Sequence, residues 1–531
     1  MTRFFYYYNS ICSGSDSYNV FSYDPYIISM KGLLLSELQK IVFYIEKLKD
    51  LKIDMSDYTD KVIDFISIII INLDFKKESL FIIIQDLQDN KKKLKETYIN
   101  TCKELQIEYN LLPNDNEEFT SEDDILRVLN EYEKNLRNKT VHINENKRVF
   151  YEIIINLVLN ACNYLIELKH FNSDFPKAKN KVLNLLNCFN IPSLDEPELK
   201  KIIEEFSICN YQIMKLLHEK NVENFGPITK TKVPLFQKKG KAILVANSSY
   251  FELEKLLNFA QKYPVDVYAN FSMLPAFQYK KLNSYSNFVG CYNTIDNNIL
   301  MDFSSFSGPI FVSKNALLKT EVTRGQIYTT AKYPSYGIAK IENDNFYPII
   351  QYALNSNGFE NSTKEKFIEI GYNDADIKNI LDEIVTKYNK KEINRIFIIG
   401  LSNALNKDND YVKTFINKAS SDDYIISFAY NSERDNFCYL NPNYNFSLLY
   451  QIIENLFDSL DNVQEKLAVF IVDCSQRTLS QLFNLIHLKV KNIFLGTCCP
   501  NVLNPVLQDG LSKFFNIKKL SQPLTDIEKI K

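Results

Sequence analysis

The side chains best suited to metal binding or electron transfer are ten cysteines, at positions 12, 102, 162, 188, 209, 291, 438, 474, 498 and 499. Zinc and iron-sulfur sites need several thiolates that converge, usually with one close pair in sequence, and no Cys-x-x-Cys occurs here. Cys498 and Cys499 are adjacent, and on a strand adjacent side chains point to opposite faces. The cysteines therefore read as small buried hydrophobes in a reducing compartment, and four histidines add little metal-binding material. Serine chemistry has two candidate places, Asn247-Ser248-Ser249 and Ser475-Gln476-Arg477. Neither has a nearby histidine to act as base, so both read as strand-end turns whose hydroxyls bond local backbone. His487, near the end of a helical stretch, reads as a packed or capping residue. Gly308-Pro309 reads as a turn, and the first strand is followed by no Gly-x-Gly-x-x-Gly, which argues against a nucleotide phosphate site.

These turns must be held by the elements around them. Residues 241–277 read as strand, turn, amphipathic helix and strand, since apolar runs at 242–245 and 265–268 flank a helical spacing of Leu253, Leu256, Leu257 and Phe259. Two short apolar runs joined by a helix make a right-handed parallel crossover, and chemistry in such sheets collects past the carboxyl ends of the strands. Here those ends are 247–249 and 270–272. Further strands are expected at 310–312, 395–399, 424–428, 467–472 and 492–495, with amphipathic crossovers at 411–418, 446–460 and 479–488. Upstream, apolar residues recur at helical spacing over 29–51, 59–73, 76–105, 149–168, 177–188 and 196–220, which reads as two three-helix bundles and hints at a duplication. Residues 1–25 read as an irregular loop, 113–124 as an acidic loop, and 225–240 as a linker. The expected fold is multidomain α + α/β: a helical domain over 1–235, then Rossmann-like α/β domains over 236–375 and 376–531.

A chain of 531 residues exceeds what one core supports. With 62 basic against 65 acidic side chains and a net charge of -3, bulk charge favours neither nucleic acid nor an anionic membrane. The apolar clusters at 65–73 and 153–159 fall short of the roughly 20 residues of a membrane span. The first residues lack a sustained apolar core, so a cytoplasmic protein is expected.

Several phrases carry a resemblance: VDVYANFSMLPAF at 265–277, GPIFVSKNALL at 308–318, NRIFIIGLSNA at 394–404, VKNIFLGTCCPNVLNP at 490–505 and LLHEKNVENFGPITKTKV at 216–233. They resemble the hybrid cluster protein, or prismane, family of hydroxylamine reductases. The family's layout of a helical domain followed by two Rossmann-like domains matches the layout read above. Its members are expected to hold a 4Fe-4S cubane cluster, bound by four cysteines, and a hybrid 4Fe-2S-2O cluster, bound by one histidine, two glutamates and four cysteines.

Carried over position by position, the resemblance implies that every such ligand is substituted. The cubane cysteines fall at Phe5, Tyr8, Ser15 and Phe21. Of the hybrid-cluster ligands, the histidine falls at Ser248, the first glutamate at Ser272, and a cysteine at Ala316, following Asn315. The other cysteines fall at Ser402, Tyr430 and Tyr444, and the second glutamate at Ser475. None of these side chains replaces a bridging thiolate. The resemblance thus implies an inherited fold with no cofactor, a catalytically silent protein that binds or scaffolds a protein partner. The alternative is an oxidoreductase acting on hydroxylamine or nitric oxide through an altered metal site. The hydroxyls of Ser248, Ser272, Ser402, Ser475, Tyr430 and Tyr444 are expected to line one residual interdomain pocket. That pocket would suit a small polar ligand, with Arg477 close enough to admit an anion.

Overall fold

A computed structural model describes residues 25–70, 77–112, 115, 119–121, 123–128, 130, 144–292, 299–313, 325–334, 337–400, 410–428, 431–440, 446–472, 476–496 and 505–530. The expected irregular segment 1–25 lies outside these residues except for its last position, and the acidic loop 113–124 lies partly outside them. The chain divides into two compact units, one of residues 1–213 with 504–510 and one of 214–503 with 511–531.

Six long helices build the first unit: α1 (Pro25–Asp50), α2 (Ser56–Ile70), α3 (Lys77–Glu104), α4 (Glu145–His170), α5 (Pro176–Asn187) and the start of α6 (Glu196–Phe225). The apolar spacing of α1 faces inward as expected, with Leu33, Leu34, Leu38, Ile41, Tyr44, Ile45 and Leu48 all buried. Within the unit α1 packs on α3, α2 and α5, and α2 packs on α4 and α5, so the two helical triplets share contacts.

The α1–α2 and α4–α5 connections are built alike. In the first, the amides of Leu51 and Ile53 donate to Leu48 O and that of Lys52 to Lys49 O. In the second, the amides of Phe171 and Ser173 donate to Leu168 O and that of Asn172 to Lys169 O. Lys52 and Asn172 both take the left-handed conformation that ends a helix, at φ 63° and 51°. The helices that follow bury Val62, Ile63 and Ile66 in one case and Val182, Leu183 and Leu186 in the other.

By length and composition α4 could cross a membrane, which the short apolar cluster at 153–159 did not lead one to expect. Its apolarity is spent inside the protein: 83% of its most apolar window is buried.

The core of α1 and α3 also contains charge. Glu37, fully buried, accepts from Lys40 Nζ at 2.5 Å and Lys91 Nζ at 3.0 Å. Asp115 accepts from the Tyr44 hydroxyl and from Lys95 Nζ at 3.0 Å, and it lies 3.7 Å from Lys91. Burial and the Asp115 carboxylate push the Tyr44 phenol well above its usual pKa.

Two parallel six-stranded sheets organise the second unit. The first contains β2 (Lys241–Ala246), β3 (Val265–Asn270), β4 (Phe288–Tyr292), β5 (Ile310–Val312), β6 (Ile327–Thr329) and β7 (Ile338–Lys340), in the order β4-β3-β2-β5-β6-β7. The second contains β9 (Arg395–Ile399), β10 (Asp423–Ser427), β11 (Phe437–Tyr439), β12 (Leu467–Ile471), β13 (Asn492–Leu495) and β14 (Lys518–Lys519), in the order β11-β10-β9-β12-β13-β14. Every neighbouring pair in both sheets is parallel. Each sheet starts at its centre, runs outward, and then crosses back to fill the other half. The strand order therefore reverses between β2 and β5 and again between β9 and β12, and such reversals open a crevice at the carboxyl ends.

A third, two-stranded sheet was not anticipated. Within the expected linker, β1 (Thr231–Pro234) pairs antiparallel with β8 (Phe367–Ile370). Gly308 starts the approach to β5 where a Cβ would stand 2.1 Å from Ala242 O, so the turn there serves close backbone packing.

The buried ionic cluster gives the first prediction. Glu37→Gln removes the carboxylate that Lys40 and Lys91 share in the core, leaving Lys91 the longer contact with Asp115, and the expected loss is about 3 kcal/mol, read as a fall in the urea midpoint. A loss under about 1 kcal/mol would instead mark these lysines as solvated.

Candidate functional site

The turn after β2 begins at Asn247, whose left-handed backbone (φ 40°) swings the chain toward α7 (Tyr250–Ala260). Ser249 caps that helix: its Oγ accepts from the Glu252 amide at 3.1 Å and donates to Glu252 Oε2 at 3.1 Å. Thr330, just past β6, donates its hydroxyl to the other Glu252 oxygen. The turn after β3 opens a short 3₁₀ segment, Phe271–Gln278, capped by Asn270, whose Oδ1 accepts from the Ser272 amide at 3.1 Å.

Ser248 and Ser272, two of the positions expected in the site, meet in these adjoining turns. Ser248 is 6% exposed, donates its hydroxyl to Ala246 O at 3.1 Å, and accepts from the Ser313 amide at 3.2 Å. Its own amide donates to Met273 Sδ at 3.3 Å. Ser272 is half-buried, and its Oγ accepts from the Asn247 amide at 3.0 Å. The amide of Ser249 donates to Ser313 Oγ at 3.4 Å. Serine side chains thus stitch the carboxyl ends of β2, β3 and β5 together. Both mapped hydroxyls bond backbone, as expected of strand-end turns, and among the described residues neither is hydrogen-bonded to an imidazole that could take its proton.

Sequence reasoning missed Asp302 on α8 (Ile299–Ser305). It is 1% exposed and accepts from Asn270 Nδ2 at 2.7 Å, which anchors the side chain that caps the 3₁₀ segment. A lone carboxylate within the apolar stretch ILMDFSS was the one available signal.

The other expected positions, Phe5, Tyr8, Ser15, Phe21, Asn315, Ala316, Ser402, Tyr430, Tyr444 and Ser475, lie outside the described residues. Along the chain Ala316 comes after β5, Ser402 after β9, Tyr430 after β10, Tyr444 after β11 and Ser475 after β12. All seven hybrid-cluster positions therefore follow the carboxyl end of a strand. Arg477 is the second residue of α13 (Gln476–His487), where only its backbone is described.

A cluster needs several donor side chains that converge, thiolates above all. No three His, Cys, Asp or Glu side chains converge among the described residues. Five of the six described cysteines, Cys102, Cys162, Cys188, Cys209 and Cys291, are buried, and Cys438 is partly so. Burial pushes the thiols of Cys162 and Cys291 far up, those of Cys188 and Cys438 to about 12 and that of Cys209 to about 11, the opposite of a metal-ready thiolate. Cys12, Cys474, Cys498 and Cys499 lie outside the described residues. His218 and His487 are half-buried, and desolvation lowers both imidazoles, which keeps them neutral at physiological pH. The two described residues at hybrid-cluster positions, Ser248 and Ser272, are neutral hydroxyls already bonded to backbone and do not fit that cluster.

Comparison with known proteins places this geometry. The hydroxylamine reductase of Methanocella arvoryzae is 27% identical over 337 residues, covering 60% of this chain and 62% of that protein. That of Maridesulfovibrio salexigens is 27% identical over 337 residues, covering 60% of this chain and 63% of that protein. The match thus spans less than two thirds of the length of those relatives. A solved structure of NiZn[Fe4S4] and NiNi[Fe4S4] clusters in closed and open alpha subunits of acetyl-CoA synthase/carbon monoxide dehydrogenase covers 96% of this chain and 82% of its own, with a TM-score of 0.51. At 10% identity it bears on the fold alone. Residues 33–429, which hold the first sheet, the turns after β2 and β3 and most of the helical unit, match the Prismane/CO dehydrogenase family, and the chain belongs to that family.

Proposed function

We propose that this chain is a cluster-free member of its family, catalytically silent, that has kept the fold as a binding or scaffold protein for a protein partner. One observation carries the reading. Where the family resemblance puts a histidine and a glutamate, Ser248 and Ser272 direct their hydroxyls to the backbone of the turns they occupy. A ligand is held in place to face a metal; these side chains are held in place to close a turn. The substitutions implied at Phe5, Tyr8, Ser15, Phe21, Ala316, Ser402, Tyr430, Tyr444 and Ser475 point the same way by residue type. A small polar ligand near Arg477, bound through the hydroxyls of Ser402, Ser475, Tyr430 and Tyr444, belongs to this same proposal. The rival reading, an oxidoreductase acting on hydroxylamine or nitric oxide through an altered metal site, draws on the relatives being hydroxylamine reductases.

The assay that separates them uses anaerobically prepared protein with hydroxylamine and a reduced viologen dye. The expected rate equals the protein-free blank, whereas turnover of about 1 per second or more, near ordinary enzyme values, would support the rival.

The structural role of the serines has its own consequence. Ser248→Ala leaves the Ser313 amide without its buried acceptor, so a stability loss of about 1 to 3 kcal/mol is expected in urea unfolding. An unchanged midpoint would show that the turn does not depend on this hydroxyl.

A further inference from the structure

The second sheet offers a separate place for a ligand, at the edge opposite its carboxyl ends. A groove of about 430 Å³ lies at the amino ends of β13 and β14, in the volume range of small-molecule sites. Its lining combines Ile486, Val490, Ile493, Phe515 and Ile517 with three ammonium groups, those of Lys489, Lys491 and Lys518, and the single carboxylate of Glu465. Lys491 is paired with Glu465. The other two are not committed to a carboxylate among the described residues. Lys518 donates to Asn492 Oδ1 at 2.8 Å and sits 5.1 Å from the centre of the Phe494 ring. Asn492 is itself fixed, since its Nδ2 donates to Glu465 O at 2.9 Å and Leu467 O at 3.2 Å. Lys489 stands in a left-handed turn (φ 61°) that ends α13, with its amide bonded to Ile486 O at 2.9 Å.

We infer that this groove binds a small organic anion, a phosphate or carboxylate head on an apolar body. The head would meet Lys518 and Lys489, and the body would lie in the groove against half-buried Ile486 and the edges that the largely buried Val490, Ile517 and Phe515 present to it. The carboxyl end of α13 opposes an anion with about half an elementary charge, which is less than the excess of ammonium over carboxylate around the groove. Desolvation, followed by the nearby Lys529 ammonium, lowers the Lys518 pKa. An arriving anion would favour the charged ammonium and so oppose both effects.

The test is calorimetric titration of the full chain at about 0.15 M ionic strength, where exposed charges are largely screened beyond roughly 8 Å. The probes are phenyl phosphate, benzoate, inorganic phosphate and a polyglutamate peptide. Expected is saturable binding of phenyl phosphate or benzoate at least about tenfold tighter than inorganic phosphate, because the apolar body adds burial. Which of the two binds more tightly identifies the head group. Lys518→Met and the exposed Lys489→Ala should each weaken that binding about tenfold or more, and Lys489→Ala, on the surface, keeps the test valid if Lys518→Met folds poorly. Equal affinity for inorganic phosphate, no effect of either variant, or no saturation would overturn the inference. Tighter binding of the polyglutamate peptide would overturn it in favour of an acidic protein partner.

Discussion

A parallel sheet leaves the carboxyl ends of its strands with backbone groups that no further strand pairing satisfies, and some other group must bond them. In the first sheet those partners are serine hydroxyls and amide side chains. Ser272 takes the Asn247 amide, Ser248 takes the Ser313 amide, Ser313 takes that of Ser249, and Asn270 takes that of Ser272. Through these bonds the turns after β2, β3 and β5 become one rigid edge at the point where the strand order reverses. In an open α/β sheet this is the edge where chemistry collects. A hydroxyl bonded to turn backbone would have to give up that bond, or share it, to hold a metal or attack a substrate.

That competition links the fold to the functional reading. The chain belongs to the Prismane/CO dehydrogenase family, and its sheets keep the centre-outward parallel order that sets a crevice at strand ends. Ser248 and Ser272, the mapped positions described at that edge, are neutral, short and bonded to turn backbone. Packing around the sheets is supplied by aliphatic strands and aromatic contacts. In the first sheet Tyr268, Tyr292, Phe306 and Phe359 pack mutually with ring centres 5.0 to 6.3 Å apart. In the second, Phe397, Phe415, Phe470 and Phe494 form a chain of ring contacts with centres 4.6 to 5.8 Å apart.

Much of this architecture was legible in the sequence because central parallel strands are buried on both faces. Such burial demands unbroken branched apolar runs, so strands at 310–312, 395–399 and 492–495 begin and end where those runs do. Short edge strands lack that demand. β6, β7, β11 and β14 have two or three residues each and left no run to read, while β4 was hidden by Gly290 at its middle. β1 and β8 were missed because a half-exposed ribbon tolerates the polar residues that mark a linker. Glu37, Lys40 and Lys91 were hidden for a different reason: charge at helical spacing looks like a solvated face, and only their mutual pairing lets them enter the core. At the candidate site, Ser248 and Ser272 were legible as turn hydroxyls from their place after apolar runs. Asp302 was not, since its partner Asn270 is distant in sequence and only the sheet brings them together.

The central claim is that residue types once suited to iron and sulfide no longer are. Iron and acid-labile sulfide should therefore be measured per chain in protein purified and kept under anaerobic conditions, together with an absorbance scan for sulfide-to-iron charge transfer. The account predicts neither element in stoichiometric amount and no such absorbance. A full cluster's complement of iron with matching sulfide, bound tightly enough to survive gel filtration, would contradict it.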